Sequence, residues 1–276
     1  SLGEYAFKSC HNLTNLDIPA SVRHIGKRAF DNCQTLEEII VPQGVQTIEE
    51  GTFFSCLKIK TISLPEGITT VDSLAFANCC ELTSIDLPTT LVAIGENAFN
   101  NCYSIYQINI PDGVTAISSG MFIQCNSLAH ITIPSSVNYI SYNAFDFCSV
   151  LQEVQIDSNN QNYYSIDGAI YDKINNIFVR YLMGAKGETL IVLNNIKIIG
   201  KAALAGNPNL SIVHQSVTKI DEYALYASVI NTINYGGTVE EWQFIEKASN
   251  WDLESSEYTI YCTDGTIAMD GTVTYN

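Results

Sequence analysis

The nine cysteines are the residues of this sequence with the most chemistry to offer. Seven of them, Cys10, Cys33, Cys56, Cys79, Cys102, Cys125 and Cys148, follow one another at steps of 23 residues, while Cys80 and Cys262 fall outside the series. A structural zinc site needs four converging ligands, usually with two cysteines two to four residues apart. Only Cys79 and Cys80 are close in sequence, and no histidine lies near them. Disulfides need Cβ vectors aimed at each other. Equivalent positions of stacked coils point in parallel instead. The series therefore reads as reduced thiols packed as small buried hydrophobes. Cys80 and Cys262 are the more reactive candidates, although nothing in their surroundings lowers a thiol pKa.

The four histidines, His11, His24, His130 and His214, stand in unrelated local contexts. A nucleophile needs its base within hydrogen-bond reach, and no Ser-His-Asp or Cys-His set is legible. Asp157, Asn159 and Gln161 loosely suggest a calcium loop. Asn162 stands where such a loop needs glycine, and Gly168 where it needs glutamate, so turn polarity is the better reading. No catalytic residue, no cofactor-binding residue and no metal ligand is assigned; cofactors: none.

What positions these residues is a repeat. Phe7, Phe30, Phe53, Phe76, Phe99, Phe122 and Phe145 recur every 23 residues, three before each cysteine of the series. Apolar columns follow at Leu13, Leu36, Ile59, Leu82, Ile105, Leu128 and Leu151. A further pair of columns two residues apart begins at Leu16 and Ile18 and ends at Val154 and Ile156. A period of two is that of a strand with one buried face. Proline follows all but the last pair, from Pro19 to Pro134, and ends the strand because it donates no ladder bond. Val22 to Val137 and Ile25 to Ile140 complete the inward set. No single repeat can bury its apolar edge, so the repeats must stack into a solenoid about 4.8 Å per coil. The A-F-x-x-C segment is too short for a stable helix.

On these residues the repeat, L-x-x-I-x-I-P-x-x-V-x-x-I-G-x-x-A-F-x-x-C, resembles the BspA-type leucine-rich repeat of the treponemal class. The resemblance implies a leucine-rich-repeat solenoid of the α/β horseshoe class, β-dominated. A right-handed coil with one parallel sheet of at least six strands is expected over the Leu16 to Ile156 columns, with a hairpin insert and a C-terminal cap. Four segments follow. Residues 1–156 hold seven regular repeats, the first truncated. Residues 157–189 hold the insert, in which Tyr164-Ile166, Ala169-Tyr171 and Ile177-Tyr181 read as strands and Asn175-Asn176 as a turn. Residues 190–235 are worn repeats in which Asn207 and Pro208 replace the cysteine region and a second coil runs from Leu210 to Leu225. Residues 236–276 form the cap. There Thr238 and Glu241 make a capping-box pattern, and Val239, Trp242 and Ile245 share one helix face. A cap is needed because the last coil otherwise exposes its core section.

The chain has 276 residues, a net charge of −16 and 13 basic residues spread thinly. Nucleic acid and anionic membrane need clustered lysine and arginine, so neither is an expected partner, and no apolar run is long enough to span a bilayer. Leu2-Gly3 aligns with Ile25-Gly26, the middle of a repeat, which suggests a fragment of a longer protein. What remains for function is the outward strand face. Its columns run Asn15, Glu38, Thr61, Ser84, Gln107, His130, Glu153 and Asp17, Ile40, Ser63, Asp86, Asn109, Thr132, Gln155. Glu38, Ile40, Ser84, Asp86, Gln107 and Asn109 are the central binding candidates, and Ile40 is an apolar residue in a polar column. The resemblance implies a bacterial, extracellular or cell-surface module that binds a host or matrix protein in adhesion. The alternatives are a structural spacer, or a glycan-binding accessory region. Clustering of Tyr103, Tyr106, Tyr139 and Tyr142 on one face would favour glycan.

Overall fold

The computed structural model describes residues 1–187, 189–207 and 210–276, and the side chains of Thr189, Leu210, Ser211 and Ile212 are outside the description. Of the worn-repeat positions expected above, Pro208 and the side chain of Leu210 therefore lie outside the described residues. The chain divides into two compact units, residues 1–162 and 163–276.

In the first unit each 23-residue period is one coil, and the apolar columns point inward. The phenylalanine rings stack along the coils with centroids 5.3–5.8 Å apart and planes within 18° of parallel. Behind them the thiols of Cys33, Cys56, Cys79, Cys102, Cys125 and Cys148 each donate to a phenylalanine carbonyl 26 residues earlier, at 3.0–3.3 Å. Stacked rings and thiol donors thus serve both the apolar and the polar demands of the core. Gly95 follows the Ile94 column because a Cβ there would lie 2.3 Å from the Ser73 amide nitrogen.

The strand face differs from expectation. Glu38–Ile40 pairs in parallel with Thr61–Ser63, and Gln107–Asn109, His130–Ile133 and Gln155–Ile156 form a three-stranded parallel sheet. The first and fourth coils, through Leu16 and Ile85, contribute no strand. In place of one sheet of six or more strands there is a pair and a triplet. Each strand is confined to about three residues between a turn and a proline, so few ladder bonds join neighbours and a slight departure ends the pairing. A second strand row lies at the Ile-Gly positions. Thr47–Ile48, Thr70–Val71 and Ala93–Ile94 pair in parallel, as do Ala116–Ile117 and Tyr139–Ile140, and Leu2 forms a bridge with Ile25. The expectation of a single parallel sheet is corrected accordingly.

The A-F-x-x-C segment is a turn, not a helix, and two columns of left-handed backbone frame it, one at the residue before the segment and one within it. One runs Tyr5, Arg28, Gly51, Leu74, Asn97, Gly120. The other runs Ser9, Asn32, Ser55, Asn78, Asn101, Gln124, Phe147, with φ between 53° and 63° over both.

In the second unit Tyr163–Ile166, Ala169–Asp172 and Ile177–Tyr181 form an antiparallel meander. Its last turn is fixed by Asp172, whose carboxylate accepts from the amides of Ile174 and Asn175 and from the Asn175 side chain. Within this unit the last strand of the meander opens a parallel stack, because Ile177 and Phe178 pair in parallel with Ile198 and Ile199, and those with Lys219–Ile220. A second sheet runs Thr189–Ile191, Leu210–Val213, Thr232–Tyr235, Thr259–Tyr261, then turns antiparallel through Gly265–Ala268 and Val273–Tyr275. At the cysteine position Asn207 keeps the donor, its amide lying 3.4 Å from the Tyr181 carbonyl.

The helix Val239–Phe244 starts at Thr238 with the reciprocal capping box, Glu241 N–H to Thr238 Oγ1 at 3.2 Å and Thr238 N–H to Glu241 Oε2 at 2.8 Å. It buries Val239 and Trp242, with Ile245 as C-cap. Trp242 packs edge-on against Tyr235 and Trp251, and Trp251 against Tyr258. Lys247 Nζ donates to the Trp242 and Ile245 carbonyls, holding the end of the helix.

Candidate functional site

The side chains with reactive potential are held in structural roles. Burial pushes the Cys33 thiol up to about 11 and those of Cys79 and Cys125 well above the ordinary range. Thiols held in that state are poor nucleophiles. Cys80 and Cys262 are half-buried, and burial raises them as well. All nine are free thiols. His24 faces Glu49 at 3.8 Å, and His130 Nε2 lies 3.0 Å from the Tyr106 hydroxyl. His214 Nδ1 accepts from the Ser216 amide and is 3.2 Å from Ser216 Oγ, while Ser216 Oγ donates to the Ile196 carbonyl. That pair is a local turn, its hydroxyl proton already engaged by backbone. Among the described residues no three His, Cys, Asp or Glu side chains group closely enough for a metal ion. In the Asp157 region the carboxylate accepts from the Asn159 amide, and Asn160 is buried with its amide on the Pro134 and Val137 carbonyls.

The first strand row of unit one is the surface on which side chains of fixed spacing reach solvent. Glu38, Ile40, Ser84, Asp86, Gln107 and Asn109 are all exposed. Register sets Glu38 beside Thr61 and Ile40 beside Ser63, and Gln107 beside His130 and Asn109 beside Thr132. Ser84 and Asp86 belong to the fourth coil, which has no strand in this row, and join neither group. Ile40 is 71% exposed, far more than an apolar side chain in a packed strand.

Where each strand bends into its proline turn, the surface is grooved. One groove of about 540 Å³ spans the first three coils and is lined by Glu38, Ile40, Pro42, Leu64 and Glu66, among others. Another of about 300 Å³ spans the fifth to seventh coils, beside Asn109, Asp112, Thr132 and Asp157. Glu66 and Asp112, both immediately after the strand-ending proline, were not among the sequence candidates. Their signal was available in the sequence as acid following Pro65 and Pro111. The four tyrosines are exposed, but Tyr106 precedes the first strand row whereas Tyr139 lies in the second. They do not share one face.

With this geometry in hand, comparison with known proteins is decisive for the family. The model of the BspA type leucine rich repeat region matches in six copies, over residues 1–91, 71–177 and 166–244. The chain belongs to the BspA-type leucine-rich-repeat family. A leucine rich cell surface protein from Faecalibacterium prausnitzii has the same fold, with 22% identity and a TM-score of 0.72 over 90% of this chain and 86% of that one. A leucine-rich repeat protein from Bacteroides ovatus is 26% identical with a TM-score of 0.63. There 85% of this BspA-type chain is covered and 58% of the other, so the chain spans little more than half of that relative. The T. pallidum leucine rich repeat protein is 28% identical over 54% of this chain and 70% of that one, with a TM-score of 0.51. No curated protein matches the chain in sequence. Among the described residues no helix is long and apolar enough to cross a membrane. The BspA-type repeat thus accounts for the columns, and the family is one of repeat proteins that serve as interaction modules.

Proposed function

We propose that this chain is a non-catalytic cell-surface interaction module that binds a host or matrix protein, in adhesion, through the first strand row of its N-terminal unit. The carrying observation is Ile40, an exposed apolar side chain held in register beside Ser63 and lining a groove. Fixed spacing lets such a face meet a partner with little ordering cost on this side, and a buried apolar anchor ringed by polar groups suits a binding centre. The cell-surface placement draws support from the F. prausnitzii protein of the same fold, which is described as a cell surface protein. A pure spacer would not need the grooves. A glycan platform is disfavoured by the division of the tyrosines between two rows.

The test is site-specific photo-crosslinking against a panel of extracellular-matrix proteins. A photoreactive side chain placed at Ser84 or Gln107 is expected to cross-link a matrix protein, and one at Ala93 in the second row is not. Cross-links confined to Ala93 would show that the other row is the binding face.

A further inference from the structure

The groove over the first three coils has a chemistry narrower than protein binding in general. It is lined by acidic and amide side chains, Asp17, Glu38 and Glu66 with Asn15 and Gln43, and by apolar ones, Ile40 and Leu64 with the two prolines Pro42 and Pro65. No lysine or arginine lines it. Asp17 and Glu38 make no ion pair among the described residues, whereas the neighbouring Glu37 is paired with Lys60 at 3.6 Å. Glu66 accepts from the amide and hydroxyl of Thr89, which aim it without neutralising it. Along the stack the imbalance persists. From Thr61 to Asp172 the sequence contains no lysine and no arginine, and the second groove repeats the pattern with Asp112 and Asp157.

Arg23 Nη1 donates to the Ala20 carbonyl at the edge of the groove at 2.6 Å and makes no ion pair with these carboxylates among the described residues. Carboxylates left unpaired beside an apolar lining raise the local concentration of cations and hold them best when an apolar group is buried alongside. We propose that this groove takes an extended polypeptide segment of the partner in which a lysine or arginine stands two residues from an apolar side chain, so that both face the groove. The apolar side chain lies over Ile40 and Leu64. The cation reaches Asp17, Glu38 or Glu66. Asp17 and Glu66 stand two coils apart, about 9.6 Å along the stack at about 4.8 Å per coil, close to three residues of an extended segment at about 3.3 Å each. This inference rests on the protein-binding reading above and names the chemistry of the partner.

The experiment is fluorescence anisotropy with three labelled twelve-residue peptides repeating Lys-Ser-Leu-Ser, Lys-Ser-Ser-Ser and Glu-Ser-Leu-Ser, called lysine–leucine, lysine–serine and glutamate–leucine, in which the named side chains share one face of an extended chain. The lysine–leucine peptide is expected to bind, the lysine–serine peptide at least fivefold more weakly, and the glutamate–leucine peptide not at all. Asp17→Asn, Glu38→Gln and Glu66→Gln together are expected to weaken the first peptide at least tenfold, and Ile40→Ser alone at least threefold. Glu81→Gln, Glu96→Gln and Glu240→Gln together remove the same charge elsewhere and are expected to change affinity less than twofold. An equal loss in both triple variants would overturn the groove, because binding would then follow net charge alone. So would equal binding of the lysine–serine and lysine–leucine peptides. A loss on Asp86→Asn and Asn109→Ser with none on the groove variants would retain the strand face as a binding surface and overturn this inference alone. Failure of every peptide to bind, with matrix proteins still cross-linked at Ser84 or Gln107, would do the same.

Discussion

At the scale of single residues, the columns assign each side chain its work. The raised thiols give a pH dependence whose sign is fixed. Cys33, Cys56, Cys79, Cys102 and Cys125 all have folded pKa values above the ordinary thiol value, because burial disfavours the thiolate. The folded chain therefore holds protons that the unfolded chain releases. Their contribution is fully present below pH 9 and is lost as pH rises from there through about 11, the value for Cys33. Urea midpoints are expected to be level from pH 7 to 8.5 and to fall above pH 9. A midpoint that rose over that range would contradict the packing of the column. Phe147 makes a second residue-scale case. It is 55% exposed with φ at 61°, in a column that elsewhere holds serine, asparagine and glutamine. Left-handed backbone costs a bulky residue about 1–2 kcal/mol and asparagine less. Phe147→Asn is expected to raise stability by about 1 kcal/mol in equilibrium unfolding.

At the scale of elements, the sequence was legible where one column does one job. The phenylalanine and cysteine columns, the turn at Asn175-Asn176 and the capping box at Thr238 appear in the structure as their spacing implies, and the paired columns form strands in all but the first and fourth coils. The second strand row was not legible. Ile25 to Ile140 reads only as one more inward column, and the strands there are two residues long, too short for a period of two to register. The left-handed columns were hidden for another reason. Tyr5, Arg28, Leu74 and Phe147 carry no local preference for that backbone, and the stacked coils impose it. The outward binding candidates followed from alternation and are exposed as expected. The grooves did not follow, because they arise from how the proline turns bend away from the strands. The helix offers an element-scale check. Thr238→Ala removes the acceptor for the Glu241 amide and is expected to cost about 1 kcal/mol, read as a lowered thermal midpoint. An unchanged midpoint would place the capping box outside the stability of the cap.

At the scale of the whole molecule, a repeat protein couples each coil chiefly to its neighbours. Phe76 is fully buried and stacked on Phe53 and Phe99. Phe76→Ala is expected to cost about 3–5 kcal/mol and to raise hydrogen exchange first around its own coil and the two beside it. A uniform rise across all 276 residues would contradict local coupling. The proposed partner-binding face is the first strand row. The most direct measurement is surface plasmon resonance of the chain and of the combined variant Ile40→Ser, Asp86→Asn, Asn109→Ser over the matrix proteins cross-linked at Ser84 or Gln107, with circular dichroism confirming that the variant is folded. At least a tenfold loss of affinity is expected in the variant. Unchanged affinity, with substitutions at Val92 or Tyr139 proving sensitive instead, would contradict it.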